Sequence, residues 1–269
     1  MLNNLSLSLA KLVMLIAAST QIATEEQVGA MQNAVQPRLQ IGFFNLPPHA
    51  YLQSGANEPQ GAAVSYFNDV ANLMGYEIDW IGPYPFPRLI LDLQLGNVDG
   101  SIFIAKQPER EEFLYYSKLP VNEITSIIAV MNDNPLSAIN HAEDLNDLRI
   151  GTPSDVILGD FMSQLSDRVI FSNLSGRTWF EQQLQRLVSG RIDAIYGRNN
   201  HSIIYEARRL GLLDQLKFLT VPEPPIEVFV VFSKLNPNAS QFIDQFDQAA
   251  SNLTFDYEQY LEAHLNSLP

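Results

Sequence analysis

The sequence predicts a two-lobed α/β protein, and two observations lead to that prediction. Helical patterns alternate with short β-rich runs along most of the 269 residues, which is typical of parallel-rich sheets covered by helices. A similar helix-to-strand turn also occurs twice in the sequence, as LILDLQLGNVDGSIFIA at 89–105 and as QQLQRLVSGRIDAIYG at 182–197. Each copy ends a helix at a glycine and places an aspartate just before the next strand. Two copies of one unit, each in a segment of about 100 residues, predict two lobes of ordinary domain size.

The elements of each lobe follow in order along the chain. Amphipathic stretches that end at glycine predict the helices, and short apolar, β-branched runs predict the strands. The first lobe is predicted to contain strands at 39–42, 76–81 and 100–105 and helices at 62–74 and 87–95. The second lobe is predicted to contain strands at 148–151, 168–171 and 192–196 and helices at 156–165, 178–189 and 202–210.

Two further apolar runs predict crossings between the lobes. They read ITSIIAVM at 124–131 and IEVFVVF at 226–232, and three prolines hold the chain extended before the second. Helices predicted at 239–250 and 256–265 then return to the first lobe. The predicted lobes are therefore 39–123 with 226–269, and 124–225. Two crossings between the lobes form a hinge. In each lobe a ligand is expected to bind beyond the carboxyl ends of the parallel strands, so two lobes that face each other place the ligand site in the cleft between them.

The first residues predict export. Lys11 precedes the apolar run at 12–18, and small and polar residues follow at Ser19 and Thr20. This order is typical of a secretory signal, so we predict a signal peptide at 1–23, a flexible leader at 24–38 and a periplasmic protein. The alternative is a buried N-terminal helix. No later run reaches the roughly 20 apolar residues that a membrane-spanning helix needs.

Composition excludes several classes of function. A net charge of -14 and a pI near 4.6 disfavour nucleic acid, because its phosphates would be repelled. The chain has no cysteine, so disulfides and thiolate chemistry are excluded. Its four histidines lack the spacing of a metal site. We therefore predict no metal, no cofactor and no nucleic-acid partner.

A succession of short motifs carries a family resemblance. They are PPHAY at 47–51, GAAVSYFNDV at 61–70, PFPR at 85–88, LGNVDG at 95–100, PER at 108–110, YSKLP at 116–120, DLRIGT at 147–152 and SGRIDA at 189–194. In this order, from about 39 to 265, the chain resembles the family 3 bacterial extracellular solute-binding proteins. The resemblance implies a periplasmic-binding-protein-like (type II) fold. It also implies a monomer without enzymatic activity, which binds a small polar solute for an ABC-transporter permease, as in amino acid transport, or for a membrane sensor.

The resemblance also implies ligand-binding positions. The loop after the first strand presents aromatic side chains, and the arginine of the P-E-R motif pairs with a ligand carboxylate through its planar fork. The G-T stretch at 151–152 precedes a predicted helix, where backbone N–H groups favour an anion. Arg88 stands at a helix start, where a cation needs a partner. The predicted ligand-binding residues are His49, Tyr51, Phe86, Arg88, Arg110, Thr152, Ser154 and Arg198.

Two departures from the family pattern bear on the ligand. Gln107 stands where the family usually carries threonine, and Arg198 stands where an aspartate usually holds the ligand's ammonium. Because an arginine repels an ammonium and attracts an anion, we predict an anionic or uncharged solute, with anionic favoured, in place of a standard α-amino acid.

Structural roles compete with several of these interpretations. Arg110 is also compatible with a surface ion pair, and Thr152 and Ser154 with capping a helix that starts near Val156. Asp99 and Asp193 follow equivalent helix ends in different lobes, and this position favours a structural role in the turn over acid–base catalysis. The rival function is an enzyme on the same scaffold, similar to cyclohexadienyl dehydratase, with Asp155 or Glu181 as its acid. A third interpretation is a sensor without a transporter.

Overall fold

Two mixed β-sheets organise the chain in the computed structural model, which describes residues 36–154, 158–165, 167–176 and 178–267. The predicted signal peptide and most of the predicted leader lie outside the described residues, as does Asp155. From Arg38 onward the residues group into one compact unit.

Eleven strands are described. They are β1 (Arg38–Phe44), β2 (Glu77–Tyr84), β3 (Gly100–Ala105), β4 (Leu114–Tyr116), β5 (Asn122–Ile124), β6 (Ile127–Met131), β7 (Arg149–Pro153), β8 (Ile170–Leu174), β9 (Ala194–Gly197), β10 (Leu216–Thr220) and β11 (Ile226–Ser233). The first sheet has the order β2-β1-β3-β11-β4, with β5 paired to β11. The second sheet has the order β10-β6-β9-β7-β8. We call the elements around these sheets lobe 1 and lobe 2.

Each sheet combines parallel and antiparallel pairs in the same way. In lobe 1, β1 pairs in parallel with β2 and β3, and β11 pairs antiparallel with β3, β4 and β5. In lobe 2, β7 pairs in parallel with β8 and β9, and β6 pairs antiparallel with β9 and β10. The predicted parallel-rich sheets are thus present, and the strands next to the crossings are the antiparallel ones.

Eight α-helices are described between and after these strands. They are α1 (Ala62–Met74), α2 (Phe86–Leu95), α3 (Pro108–Glu111), α4 (Asp160–Ser163), α5 (Trp179–Val188), α6 (Asn200–Arg209), α7 (Ala239–Ser251) and α8 (Tyr257–Asn266). The helices α1, α7 and α8 pack together against the first sheet and bury a core that includes Phe67, Phe232 and Phe246. Lobe 2 buries separate apolar clusters, one around Ile150 and Tyr196 and another around Leu184 and Ile195.

One sequence prediction needs correction: within the described residues, the helix predicted at 156–165 is only the four-residue α4. In the run at 124–131, which was predicted as a crossing, the ladder breaks at Thr125 and Ser126, where the chain passes from β5 in the first sheet to β6 in the second. The strands β4 and β10 were not predicted, because three to five residues carry too little periodicity to distinguish a strand from a loop.

The doubled helix-to-strand turn forms the same hydrogen bonds in both lobes. Asp99 accepts the backbone N–H of Gln40 on a carboxylate oxygen at 2.8 Å and donates its own N–H to the Gln40 carbonyl at 2.8 Å. Asp193 repeats both bonds with Arg149, also at 2.8 Å. The two aspartates therefore tie each turn to the neighbouring parallel strand, which is the turn role favoured by the sequence.

We expect Asp99→Ala to lower the free energy of unfolding by about 1–3 kcal/mol, because it leaves the Gln40 N–H and the Asn236 amide without their acceptor. Urea unfolding followed by circular dichroism measures the loss. The control is Asp133→Ala, at an exposed position, which should change stability by less than about 0.5 kcal/mol. Equal effects of the two substitutions would contradict the turn role.

Candidate functional site

Two cavities lie where the strands of both lobes end. The aromatic cavity, about 470 Å³, is bordered by Phe44 and Tyr84 at the ends of β1 and β2 and by Leu174 at the end of β8. The hinge cavity, about 680 Å³, is bordered by Ala105 at the end of β3 and by Arg198, which follows β9. Both cavities thus have walls from the two lobes, at the position where parallel sheets bind ligands.

Aromatic rings and an arginine organise the lobe 1 side of the aromatic cavity. Phe86, which borders it, meets Phe44 edge to face at a ring distance of 5.0 Å. The Arg110 guanidinium lies over the Phe86 ring at 5.3 Å and donates a hydrogen bond to the Ala105 carbonyl at 3.0 Å. Burial lowers the pKa of Arg110. The structure therefore brings together two predicted site residues, and Arg110 retains donors beyond its one bond to the backbone. Trp179 closes the cavity from lobe 2.

Charged side chains gather at the hinge cavity. Its lining includes two bases, Lys106 and Arg198, and four acids, Glu123, Asp160, Glu223 and Glu227. Arg198 is half-buried and extends from the end of β9, as the sequence predicted for a strand-end site residue.

Glu223 lines the hinge cavity and was not among the residues predicted from the sequence. It lies in the crossing between β10 and β11, and its carboxylate accepts the Met162 N–H of α4 at 3.2 Å and the Tyr196 hydroxyl at 3.3 Å. The flanking prolines 222, 224 and 225 were visible in the sequence, but they indicated only an extended chain. The sequence signal for this residue was an acidic side chain between prolines, next to a predicted crossing.

Thr152 and Ser154, the residues of the predicted anion site in lobe 2, form hydrogen bonds with backbone carbonyls. Thr152 is buried, and its hydroxyl donates to the Pro153 carbonyl at 2.8 Å. Ser154 is exposed, and its N–H donates to the Leu174 carbonyl at 2.9 Å. The described helix begins only at Asp160, so neither residue caps it. Their contact with a ligand stays a prediction.

Arg88 has an internal partner. Its Nε donates to the Asp92 carboxylate at 2.8 Å, one turn along α2, and Asp92 is buried. This bond and a second one from Asn97 lower the pKa of Asp92. The partner that the sequence required at this helix start is therefore an acidic side chain.

His49 and Tyr51 lie at a direct contact between the lobes. His49 is fully buried between Tyr257 of α8, whose hydroxyl lies 2.6 Å from the imidazole Nδ1, and His201 of α6, whose ring is 5.5 Å away. The Tyr205 hydroxyl of α6 donates to the Tyr51 hydroxyl at 3.0 Å. Both residues thus have protein partners, and their role in ligand binding stays a prediction.

Burial at the same contact lowers the pKa of its histidines. Burial lowers the pKa of His49 well below its ordinary value, and the nearby His201 and His264 lower it further. Burial also lowers the pKa of His201 and of His264, whose Nε2 lies 3.2 Å from the Tyr51 hydroxyl. Burial at this contact therefore disfavours the protonated form of all three imidazoles.

Two of the sequence interpretations concern a metal centre and an enzymatic site. The described residues contain no group of three or more histidines, aspartates or glutamates placed to hold a metal ion. Glu181, one of the two acids considered for catalysis, pairs with Arg209 at 3.4 Å, and the other, Asp155, lies outside the described residues. In the same part of the chain no helix is long and apolar enough to cross a bilayer.

Solved structures with the same fold come from several bacteria. The substrate-binding protein AbpA of an amino acid ABC transporter from Streptococcus pneumoniae, bound to L-arginine, is 16% identical, with a TM-score of 0.66 over 85% of this chain and 94% of its own. The periplasmic VFT2 domain of BvgS from Bordetella pertussis is 16% identical, with a TM-score of 0.65 over 91% and 97%. ArtJ from Geobacillus stearothermophilus, an arginine-, lysine- and histidine-binding protein, is 19% identical, with a TM-score of 0.63 over 86% and 96%.

The two sheets, the paired crossings and the cleft define a two-lobed α/β fold of the type II periplasmic-binding-protein class. The family model for bacterial extracellular solute-binding proteins, family 3, matches residues 39–265, so the chain belongs to that family. A search of curated protein sequences gave no match. The predicted resemblance and fold are confirmed.

Proposed function

We propose that this chain is an extracytoplasmic binding protein that captures a small polar solute of the amino acid class between its lobes. The observation that carries the proposal is the pair of cavities walled by strand ends of both lobes. The captured solute would be presented to a membrane transporter or sensor. Membership of the extracellular family supports a periplasmic location.

The charge of the solute departs from the sequence prediction. An anion was expected from Arg198, but four of the six charged side chains that line the hinge cavity are acidic. In addition, AbpA was solved with L-arginine, and an ancestral arginine-binding protein, 19% identical with a TM-score of 0.64, was solved with glutamine. These observations do not support an anion, and we propose a zwitterionic or cationic amino acid instead.

Hinge closure is part of the proposal. We assign residues 39–123 with 226–269 to lobe 1 and residues 124–225 to lobe 2, with the crossings at 125–126 and 221–225 as the hinge. A ligand that contacts both lobes favours the closed arrangement by its differential affinity. A contact already joins the lobes, because the Ser202 hydroxyl of α6 donates to the Pro47 carbonyl at 2.6 Å.

We expect a saturating amino acid ligand to raise the melting temperature by about 5 °C or more, because binding stabilises the folded state by mass action. A thermal-shift panel of L-arginine, L-lysine, L-glutamine, L-glutamate and succinate measures this. Small-angle scattering with the best ligand should show a smaller radius of gyration, and an unchanged radius would count against hinge closure. If no amino acid shifts the melting temperature, the proposal is wrong.

A further inference from the structure

One helix of lobe 2, α6, is hydrogen-bonded to lobe 1 outside both cavities. The Ser202 hydroxyl donates to the Pro47 carbonyl at 2.6 Å, and the Tyr205 hydroxyl donates to the Tyr51 hydroxyl at 3.0 Å. Pro47 and Tyr51 belong to the loop that follows β1. We call these four residues the α6 clasp. None of the four lines the aromatic cavity or the hinge cavity, so the clasp is distinct from the candidate solute site.

Buried aromatic rings surround the hydrogen bonds of the clasp. The Tyr51 and Tyr205 side chains are both buried, and their rings meet edge to face at 5.7 Å. Beside them, the His201 ring of α6 meets the buried His49 ring edge to face at 5.5 Å. A buried hydrogen bond is costly to break, because the freed hydroxyl groups are kept from water. The clasp therefore stabilises this arrangement of the lobes through contacts between protein groups.

The start of α6 is also fixed to the first crossing between the lobes. The Asn200 N–H donates to the Thr125 carbonyl at 3.1 Å, and the Asn200 side-chain oxygen accepts the Thr125 N–H at 3.4 Å. Tyr205 lies further along the helix, about 7–8 Å from Asn200 at the α-helical rise per residue. A rotation of the lobes at this crossing therefore displaces Tyr205 from its partner in lobe 1 and breaks the clasp.

From this geometry we propose that the α6 clasp holds the lobes together independently of any solute, with Ser202 and Tyr205 as positioning residues that set the balance between joined and separated lobes. The inference rests on the lobe assignment of the proposed function and not on the identity of the solute. Because only molecules with correctly arranged lobes bind with full affinity, the clasp also sets the apparent affinity for a solute that contacts both lobes.

A distance measurement between the lobes tests the inference, and the absence of native cysteine makes specific labelling possible. The helices α2 and α5 begin at Phe86 and Trp179, which border the aromatic cavity from lobe 1 and from lobe 2. Gln94→Cys on α2 and Gln185→Cys on α5 place spin labels at exposed positions of the two lobes. Pulsed electron paramagnetic resonance of this labelled protein, without added solute, gives the distribution of distances between the labels.

The clasp variant combines Ser202→Ala with Tyr205→Phe and removes both hydrogen bonds. We expect it to add a second, longer distance and to shift the ratio of joined to separated lobes at least about 5-fold toward separation, the scale for two hydrogen bonds. Distances identical to those of the labelled wild type would overturn the inference. If the clasp variant does not fold, Ser202→Ala alone is measured against the same criterion.

A matched control removes the same two kinds of hydroxyl group from hydrogen bonds within single lobes. Ser163→Ala removes a bond of 2.8 Å to the Gly159 carbonyl in lobe 2. Tyr260→Phe removes a bond of 2.6 Å to the Asp69 carboxylate in lobe 1. This double variant should keep the wild-type distances. A lengthening equal to that of the clasp variant would assign the effect to general destabilisation and overturn the inference.

Calorimetry with L-arginine and L-glutamine separates positioning from direct contact with the solute. The clasp variant should weaken the binding of both amino acids by the same factor, because both depend on the same fraction of joined lobes. A loss for only one of them would place Ser202 or Tyr205 in contact with that solute and overturn the positioning role. If wild type binds neither amino acid, the proposed function fails, and the distance measurement still decides this inference.

Discussion

We expect Gly61→Ala to lower the free energy of unfolding by about 3 kcal/mol or more, through backbone strain and two lost hydrogen bonds. Gly61 precedes α1 with φ 131° and ψ 167°, a region that is essentially reserved for glycine. A Cβ there would overlap the backbone carbonyls of Pro48 and His49. Those carbonyls accept the first N–H groups of α1, from Ala62 at 3.0 Å and Ala63 at 2.8 Å. The loop that carries His49 is therefore fixed to α1 by this close approach.

The other end of the same helix supplies the control. Gly75 ends α1 in the left-handed conformation, with φ 81°, and a Cβ added there meets no atom within 4 Å. Gly75→Ala should therefore cost only the conformational penalty, about 1–2 kcal/mol. Urea unfolding, monitored by tryptophan fluorescence and circular dichroism, measures both variants. Equal losses would show that the approach of Gly61 to the Pro48–His49 loop contributes nothing to stability.

We expect acidification to destabilise the protein through His49. Its folded-state pKa is depressed by burial and by His201 and His264, so the folded protein holds it neutral while the unfolded chain takes up a proton near pH 6.5. The stabilisation is therefore complete above pH 6.5 and is lost as the pH falls toward the folded-state pKa, by up to about 1.4 kcal/mol per pH unit for this one group. Around the ring, Tyr257, His201 and His264 are the titratable neighbours, and the Phe103 ring lies 4.2 Å away, tilted by 30°.

His49→Gln isolates this contribution from that of the carboxylates. Urea unfolding at pH 7.5, 6.5 and 5.5 should show a steeper loss of stability for wild type than for His49→Gln. His141→Gln changes an exposed histidine and should keep the wild-type slope. Identical slopes for wild type and His49→Gln would mean that His49 takes up its proton in the folded protein and that its burial between α6 and α8 has no energetic consequence.

Local patterns in the sequence determined much of the secondary structure and the doubled architecture. The helix predicted at 62–74 and the strand predicted at 100–105 have the observed bounds, because an amphipathic run and an αL glycine are sufficient to define such elements. The twin aspartates at 99 and 193 were found as a repeat, and their hydrogen bonds to the adjacent strand are the same in both lobes. The order of the short motifs was also sufficient to identify the family, and the match of the family model over residues 39–265 confirms it.

Tertiary structure alone decided which side chains meet at the cleft. Glu223 reaches Met162 across 61 positions in the sequence, and His49 reaches Tyr257 across 208. Neither contact leaves a local periodicity or spacing, because the first depends on the course of the second crossing and the second on where the last helix packs. Arg198 was located correctly at a strand end, but the charge of its surroundings comes from four acids on separate segments. The sequence therefore determined most of the elements and the family, and the packing of distant segments determined which charged side chains line the hinge cavity and which histidines are buried together.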